Sequence, residues 1–179
     1  MTKKSFPLSK VYALLESGPV VLITTSDAKG RMNVMTQSWH LPLEFTPPLI
    51  GMVLSDQNYS YAAFYKHKEC VINIPTAKLA KAVVGCGNTS GRNTDKFKKF
   101  SLTPVEASYV DAPLIKECYA SLECRIVDST LAKKYAFFVV EVIKAWVDSS
   151  IKNPKTLHHR GRGQFMIAGR TVHLNSKKL

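Results

Sequence analysis

Two adjoining segments near the N-terminus constrain the fold more than any other feature. Pro19-Val20-Val21-Leu22-Ile23-Thr24-Thr25-Ser26 is an apolar, β-branched run, and Asn33-Val34-Met35-Thr36-Gln37-Ser38-Trp39 follows it across Asp27-Ala28-Lys29-Gly30. Branched side chains favour an extended backbone and Asp with Gly supplies a turn, so the pair is expected to form a β-hairpin. The second strand carries amides and hydroxyls at Asn33, Thr36, Gln37 and Ser38 and closes on the flat face of Trp39. Taken alone it has two readings. One is a solvent-facing strand ending in a core Trp; the other is the wall of a site for a planar ligand with a polar edge.

The length of 179 residues suits one domain spanning 1–179. No run reaches the roughly 18 apolar residues of a membrane span. Met1-Thr2-Lys3-Lys4 is followed by no long apolar region, so a cytoplasmic protein is expected. Cys70, Cys86, Cys118 and Cys124 lack CxxC spacing, which argues against a zinc site and disulfide staples. Cys86, between Gly85 and Gly87, is the thiol with a reading as a reachable one. The 25 Lys and Arg against 13 Asp and Glu give a net charge of +12, which favours anionic partners. Arg92, Lys96, Lys98 and Lys99, and the run His158-His159-Arg160-Gly161-Arg162, are the interior cations able to meet a phosphate.

Along the chain, Ser9 to Gly18 reads as a short capped helix, and Leu41 to Pro48 as a proline-punctuated loop. Leu49 to Leu54 reads as a buried central strand, and a helix is expected from Ser60 with Tyr61, Phe64 and Tyr65 on one side. Glu69 to Pro75 is a strand. Ala77 to Val84 is a helix ended by Gly85, and Asn93 or Thr94 is the expected cap of a further turn. The glycine-rich stretch 85–94 is a candidate anion loop, although it lacks the Gly-Lys-Ser/Thr of a Walker A motif. Ala120 to Val127 alternates, Ala136 to Val147 is long enough to cross a barrel wall and bend, and Gln164–Ala168 with Thr171–Leu174 reads as a hairpin across Gly169-Arg170. Many short strands and few helices give a mainly β fold, a closed or half-closed barrel with peripheral helices.

The ordered motifs resemble the flavin reductase-like proteins that bind FMN on a split β-barrel, most closely the flavoredoxin-type branch. They are Asn33 to Trp39, Pro47-Pro48, Asn58-Tyr59-Ser60, Val71 to Pro75, Gly85-Cys86-Gly87, Ser90-Gly91-Arg92 with Asp95-Lys96-Phe97, Ala112 to Ile115 and Leu122-Glu123-Cys124. The resemblance implies a homodimer with one FMN per subunit, reduced by NADH or NADPH, that passes electrons to free flavin, ferric chelates or a redox protein. It also implies an FMN-facing set of Asn33, Val34, Met35, Thr36, Ser38, Trp39, Ser55, Asn58, Ser60, Arg92, Lys96 and Phe165. Asn33 and Thr36 are expected at the flavin, Trp39 beside the ring, Asn58, Ser60 and Lys96 at the ribityl phosphate, and Phe165 near the flavin from a neighbouring subunit. Relatives often carry Arg where Asn58 stands, which shifts the phosphate clamp here toward Lys96 and Arg92.

A dianionic phosphate is held by cations and hydroxyls, and the redox step belongs to the cofactor, so no side-chain acid or base is nominated. His40, His67 and His173 are read as structural or surface residues, and His158-His159 as a solvated basic loop rather than a metal site. Two other functions compete with the reductase: an FMN-binding electron carrier or flavin store without turnover, and a basic barrel that stacks nucleic-acid bases on Tyr59, Tyr61, Phe64 and Tyr65. The scattered basic residues disfavour the latter.

Overall fold

The hairpin forms as its residues dictate. Strand β1 (Val21–Ser26) pairs antiparallel with β2 (Met32–Gln37), setting Leu22 opposite Thr36 and Thr25 opposite Asn33. Asp27 builds the turn: its carboxylate accepts from the backbone N–H of Lys29 at 2.8 Å and of Arg31 at 3.0 Å. This computed structural model describes residues 18–172 together with Pro7 and Leu174; the helix expected over residues 9–17 and the His173 position lie outside them.

The remaining elements are β3 (His40–Glu44), β4 (Leu49–Val53), α1 (Ser60–His67), β5 (Glu69–Ile74), a 3-10 turn (Ala77–Leu79) running into α2 (Ala80–Asn88), and α3 (Lys96–Lys99). The short pair β6 (Pro104–Val105) and β7 (Leu114–Ile115) precedes β8 (Ala120–Asp128), α4 (Ala132–Tyr135), β9 (Phe137–Val147), β10 (Leu157–Gly161) and β11 (Gln164–Ile167). Seven strands form one antiparallel sheet in the order β2-β1-β5-β8-β9-β4-β3.

This order shows how the sheet curls. Strands β2 and β3 occupy its opposite ends, yet only Ser38 and Trp39 separate them in the chain. Two residues can join the ends only if the sheet bends round until they meet. The junction is tied by Val53 N–H donating to the Trp39 carbonyl at 3.0 Å and by Gln37 Nε2 donating to the Val53 carbonyl at 2.6 Å. Strand β9 contributes curvature, because Glu123 pairs with Lys144 but Cys124 with Val142, leaving Ile143 as an extra residue.

Both faces of the sheet are covered, which is why β1 is buried along its whole length. On one face Val21, Ile23, Met52, Phe64 and Phe138 pack together, with the Phe64 and Phe138 rings edge to face at 5.0 Å. On the other, Leu22, Val34, Val83, Phe97 and Leu157 form a second cluster beneath α2 and α3. All four cysteines are buried.

The structure corrects several local expectations. Leu41 to Glu44 is strand rather than loop, because β3 is an edge strand and an edge tolerates the missing N–H of Pro42. Strand β4 lies next to that edge, not at the centre. Helix α2 runs through Gly85 to Asn88; its glycines serve close packing, since a Cβ at Gly85 would collide with the Phe100 ring. Cys86 on this helix is only 1% exposed. Asp95, not Asn93 or Thr94, caps α3, accepting from Lys98 N–H at 3.1 Å. The last hairpin joins β10 to β11, so His158-His159 lies in a strand and Thr171-Val172 does not. Gly161, Arg162 and Gly163 have positive φ values of 89°, 50° and 74°, and two of them are the residue that adopts such angles without strain.

Gly85→Ala separates the two roles of a helical glycine. Helix propensity alone would stabilise by about 1 kcal/mol. Against the Phe100 ring, overpacking reverses the sign, and a net loss of about 1–2 kcal/mol is expected in urea unfolding.

Candidate functional site

Two adjoining clefts open along β2. The smaller, about 220 Å³, is lined by Asn33, Met35, Thr36, Gln57 to Ser60, Cys86 to Gly91 and Lys96. The larger, about 930 Å³, lies between the β1–β2 turn, α1 and the segments 91–95 and 101–104. Asn33, Tyr59, Ser60 and Gly91 line both, so the two are one continuous depression. Its size falls in the range of about 300–1,000 Å³ usual for small-molecule sites.

The polar groups of the smaller cleft are fixed by one another. Asn33 Nδ2 donates to Ser60 Oγ at 2.7 Å, which leaves the Ser60 hydroxyl proton available to a ligand. Thr36 Oγ1 donates to the Val83 carbonyl at 2.6 Å, so toward the cleft this hydroxyl can only accept. Asn58 Nδ2 is anchored on the Ser55 carbonyl at 3.2 Å. Gly91 makes the corner possible, because a Cβ there would overlap the Asn33 side chain.

Lys96 sits at the bottom of this cleft, 5% exposed. Its Nζ donates to the carbonyls of Val34 at 2.8 Å and Cys86 at 2.9 Å, joining β2 to the end of α2. An ammonium has three donors, so one remains. Burial pulls the Lys96 pKa below its ordinary value, partly opposed by Cys86, whose own thiol burial pushes up to about 11. No carboxylate pairs with Lys96 among the described residues. A buried cation with spare donor capacity and no counter-ion is a built receptor for an anion.

The structure gathers Asn33, Met35, Thr36, Asn58, Ser60 and Lys96 around the smaller cleft and puts Arg92 in the wall of the larger. Val34 lines neither; its side chain is core and its carbonyl is what Lys96 holds. Ser55 shapes the turn, accepting at its carbonyl from Asn58 N–H at 3.0 Å. Ser38 and Trp39 form the crossing between the sheet ends, and Trp39 is 58% exposed rather than core. Phe165 lies on β11, its ring 4.9 Å from that of His159, away from both clefts.

Tyr59, absent from the expected FMN-facing set, stands half-exposed where the clefts meet. Its position between Asn58 and Ser60 is the signal that could have found it. Tyr61, Phe64 and Tyr65 do pack in the core around Phe138, which removes three of the four aromatics on which base stacking depended.

A curled antiparallel sheet with its two ends joined by Ser38-Trp39 and helices outside it defines a split β-barrel. The chain belongs to the family described as flavin reductase like domain, whose model matches residues 15–166. An uncharacterized protein of Archaeoglobus fulgidus is 37% identical over 69% of this chain and 70% of its own. Among solved structures, flavoredoxin of Desulfovibrio vulgaris (Miyazaki F) superposes with a TM-score of 0.86 at 24% identity, covering 99% of this chain and 98% of that one. The FMN-binding domain of a flavin reductases-like enzyme from Shewanella baltica OS155 gives 0.82 at 27% identity, covering 96% and 97%. Family membership supports a flavin-related redox function. Among the described residues no helix is long and apolar enough to cross a membrane.

Proposed function

We propose that this chain is a cytoplasmic FMN-dependent oxidoreductase that accepts a hydride from NADH or NADPH and passes electrons to a flavin, a ferric chelate or a redox protein. The observation that carries the reading is the smaller cleft, where the uncompensated Lys96 ammonium, the free Ser60 proton and the Asn58 amide converge on a space of about 220 Å³. These donors match a dianionic phosphate. Ser55 supports them by holding Asn58, and Arg92 adds positive charge at the rim. Thr36, restricted to accepting, suits a ribityl hydroxyl. The backbone of Val34 to Ser38, with Trp39 beyond it, would take the flavin ring.

FMN when bound supplies the two-electron chemistry. Lys96, Ser60 and Asn58 would anchor the phosphate, and β2 would orient the ring for a nicotinamide to reach it. A second subunit is part of this reading. Trp39, Leu41, Leu43 and Phe45 are 58%, 49%, 43% and 81% exposed along the β3 edge, an apolar strip beside the proposed ring, and Phe165 of a neighbouring subunit completes the site. Phe45→Glu is expected to yield monomers by light scattering where the unmodified protein gives dimers.

An absorption spectrum followed by anaerobic titration tests the activity. Purified protein supplied with FMN should be yellow and bleach with one equivalent of NADH or NADPH. A protein that takes up no FMN overturns the reading. One that binds FMN but is not reduced by either nicotinamide is a carrier or store.

A further inference from the structure

Cys70 and Cys124 stand opposite one another on neighbouring strands. The β5–β8 register pairs them directly, one rung in from the Glu69–Arg125 end of the ladder. Both belong to the core cluster on one face of the sheet, so the two side chains project to the same side. Opposed residues of an antiparallel pair have Cα atoms about 4.5–5.5 Å apart, inside the roughly 4.4–6.8 Å that a disulfide spans. Both thiols are free and fully buried. The Cys124 thiol, as a hydrogen-bond partner, and burial together hold the Cys70 pKa well above the ordinary thiol value. While the sheet is closed the pair therefore stays protonated and unreactive.

The sheet also gives this rung a way to open. The β8–β9 ladder slips between Glu123 and Cys124 and again between Ile126 and Asp128, so the part of β8 that carries Cys124 is bounded by two irregularities. On the other strand, β5 begins at Glu69, directly after Lys68 in left-handed backbone with φ 61°. Pairing beside a bulge and near the end of a ladder opens at lower free energy than pairing in its middle. Cys86 and Cys118 have no such arrangement. They lie in the cluster on the opposite face, one on α2 and the other in the segment before β8.

We propose that Cys70 and Cys124 are a site of reversible oxidation, at which a hydroperoxide joins them in a cross-strand disulfide that locks β5 to β8. On opening, one thiol gives up its proton and the thiolate attacks the hydroperoxide. The O–O bond breaks, leaving a sulfenic acid and an alkoxide or hydroxide that takes up that proton. The second thiol then displaces water from the sulfenic sulfur and the S–S bond forms. Two thiols and one hydroperoxide thus give one disulfide, one water and one alcohol, or a second water from hydrogen peroxide. The two sulfurs lose the two electrons that the O–O bond gains, and the reaction needs no flavin.

Hydrogen peroxide is the probe. Reduced protein is incubated with it in the absence of urea, then unfolded and alkylated with iodoacetamide. The expected product takes up two alkyl groups where untreated protein takes four, and its digest contains Cys70 linked to Cys124. Cys86 and Cys118 remain alkylated, and Cys124→Ala gives no cross-link. Cross-linking should accelerate several-fold in urea well below the unfolding midpoint, as oxidation through a local opening requires. Because the disulfide closes a long loop in the unfolded chain, the urea midpoint of the oxidised protein should rise by about 1 M or more, and dithiothreitol should restore it. Four alkylatable thiols after treatment, a cross-link between any other pair, or sulfinic acid at Cys70 or Cys124 in place of the disulfide overturns the proposal. So does an oxidised protein whose midpoint is unchanged or lowered, since its strands would then not be locked.

Discussion

Lys96→Met is expected to weaken FMN binding by about ten- to a hundredfold, the worth of one charge-assisted hydrogen bond to phosphate. It is also expected to destabilise the fold. The ammonium holds the Val34 and Cys86 carbonyls inside the protein, and Met offers neither a donor. Each orphaned buried acceptor costs about 1–3 kcal/mol, partly offset by no longer burying a charge, so a net loss of about 2–3 kcal/mol is expected in urea unfolding. Lys96→Arg should not rescue either effect, because the larger guanidinium has to fit a site that is 5% exposed.

The pH dependence distinguishes this lysine from an exposed one. Burial lowers its pKa from the ordinary 10.5, so FMN affinity should begin to fall on raising the pH at a value below 10.5. The Met variant should show no such component. For folding the sign is opposite: between the lowered native value and 10.5 the unfolded chain binds more protons, so this group's contribution to stability rises with pH across that window. Loss of stability without any change in FMN affinity would make Lys96 a purely structural strut and move the phosphate site elsewhere.

The parts of the fold that were legible in the sequence are those set by local chemistry. Branched residues and the Asp27 turn dictate the β1–β2 hairpin, and Pro75 ends β5 as its missing N–H requires. What was not legible depends on partners distant in sequence. Gly85 reads locally as a helix stop, but the Phe100 ring against it explains why glycine continues the helix. Gly169-Arg170 and Gly161-Arg162-Gly163 both look like turns, and the second forms the hairpin because three successive residues there adopt positive φ. In the site, the residue types of Asn33, Asn58, Ser60 and Lys96 were visible, but the direction of each donor was not. That Thr36 is committed to Val83, and that Lys96 has two of three donors occupied, follows only once α2 and α3 are packed on β2.

Glu123 shows the same limit on the far side of the sheet and is expected to matter most for stability. Alternation along β8 set Ser121, Glu123 and Arg125 on a polar face, yet Glu123 is fully buried because the segment before β7 folds across it. Its carboxylate accepts from Ser108 N–H at 3.1 Å, Tyr109 N–H at 2.6 Å and Trp146 Nε1 at 2.8 Å. Burial pushes this carboxyl's pKa up, but the Trp146 indole and the backbone donors outweigh it and hold the group below its ordinary 4.5. Glu123→Ala strands those donors and opens a cavity. A loss of about 3–4 kcal/mol is expected, a large share of a typical domain's stability.

Glu123→Gln keeps the shape but presents an amide N–H₂ to one of the donors, so an intermediate loss is expected. With a depressed native pKa, the stability from Glu123 is complete above about 4.5 and is lost as the pH falls through the native value. The unmodified protein should therefore lose stability in acid more steeply than Glu123→Gln. FMN affinity at neutral pH should be the same in all three proteins, because Glu123 lies outside both clefts. Equal acid sensitivity in the Gln variant would show that this carboxylate gains nothing from its three donors.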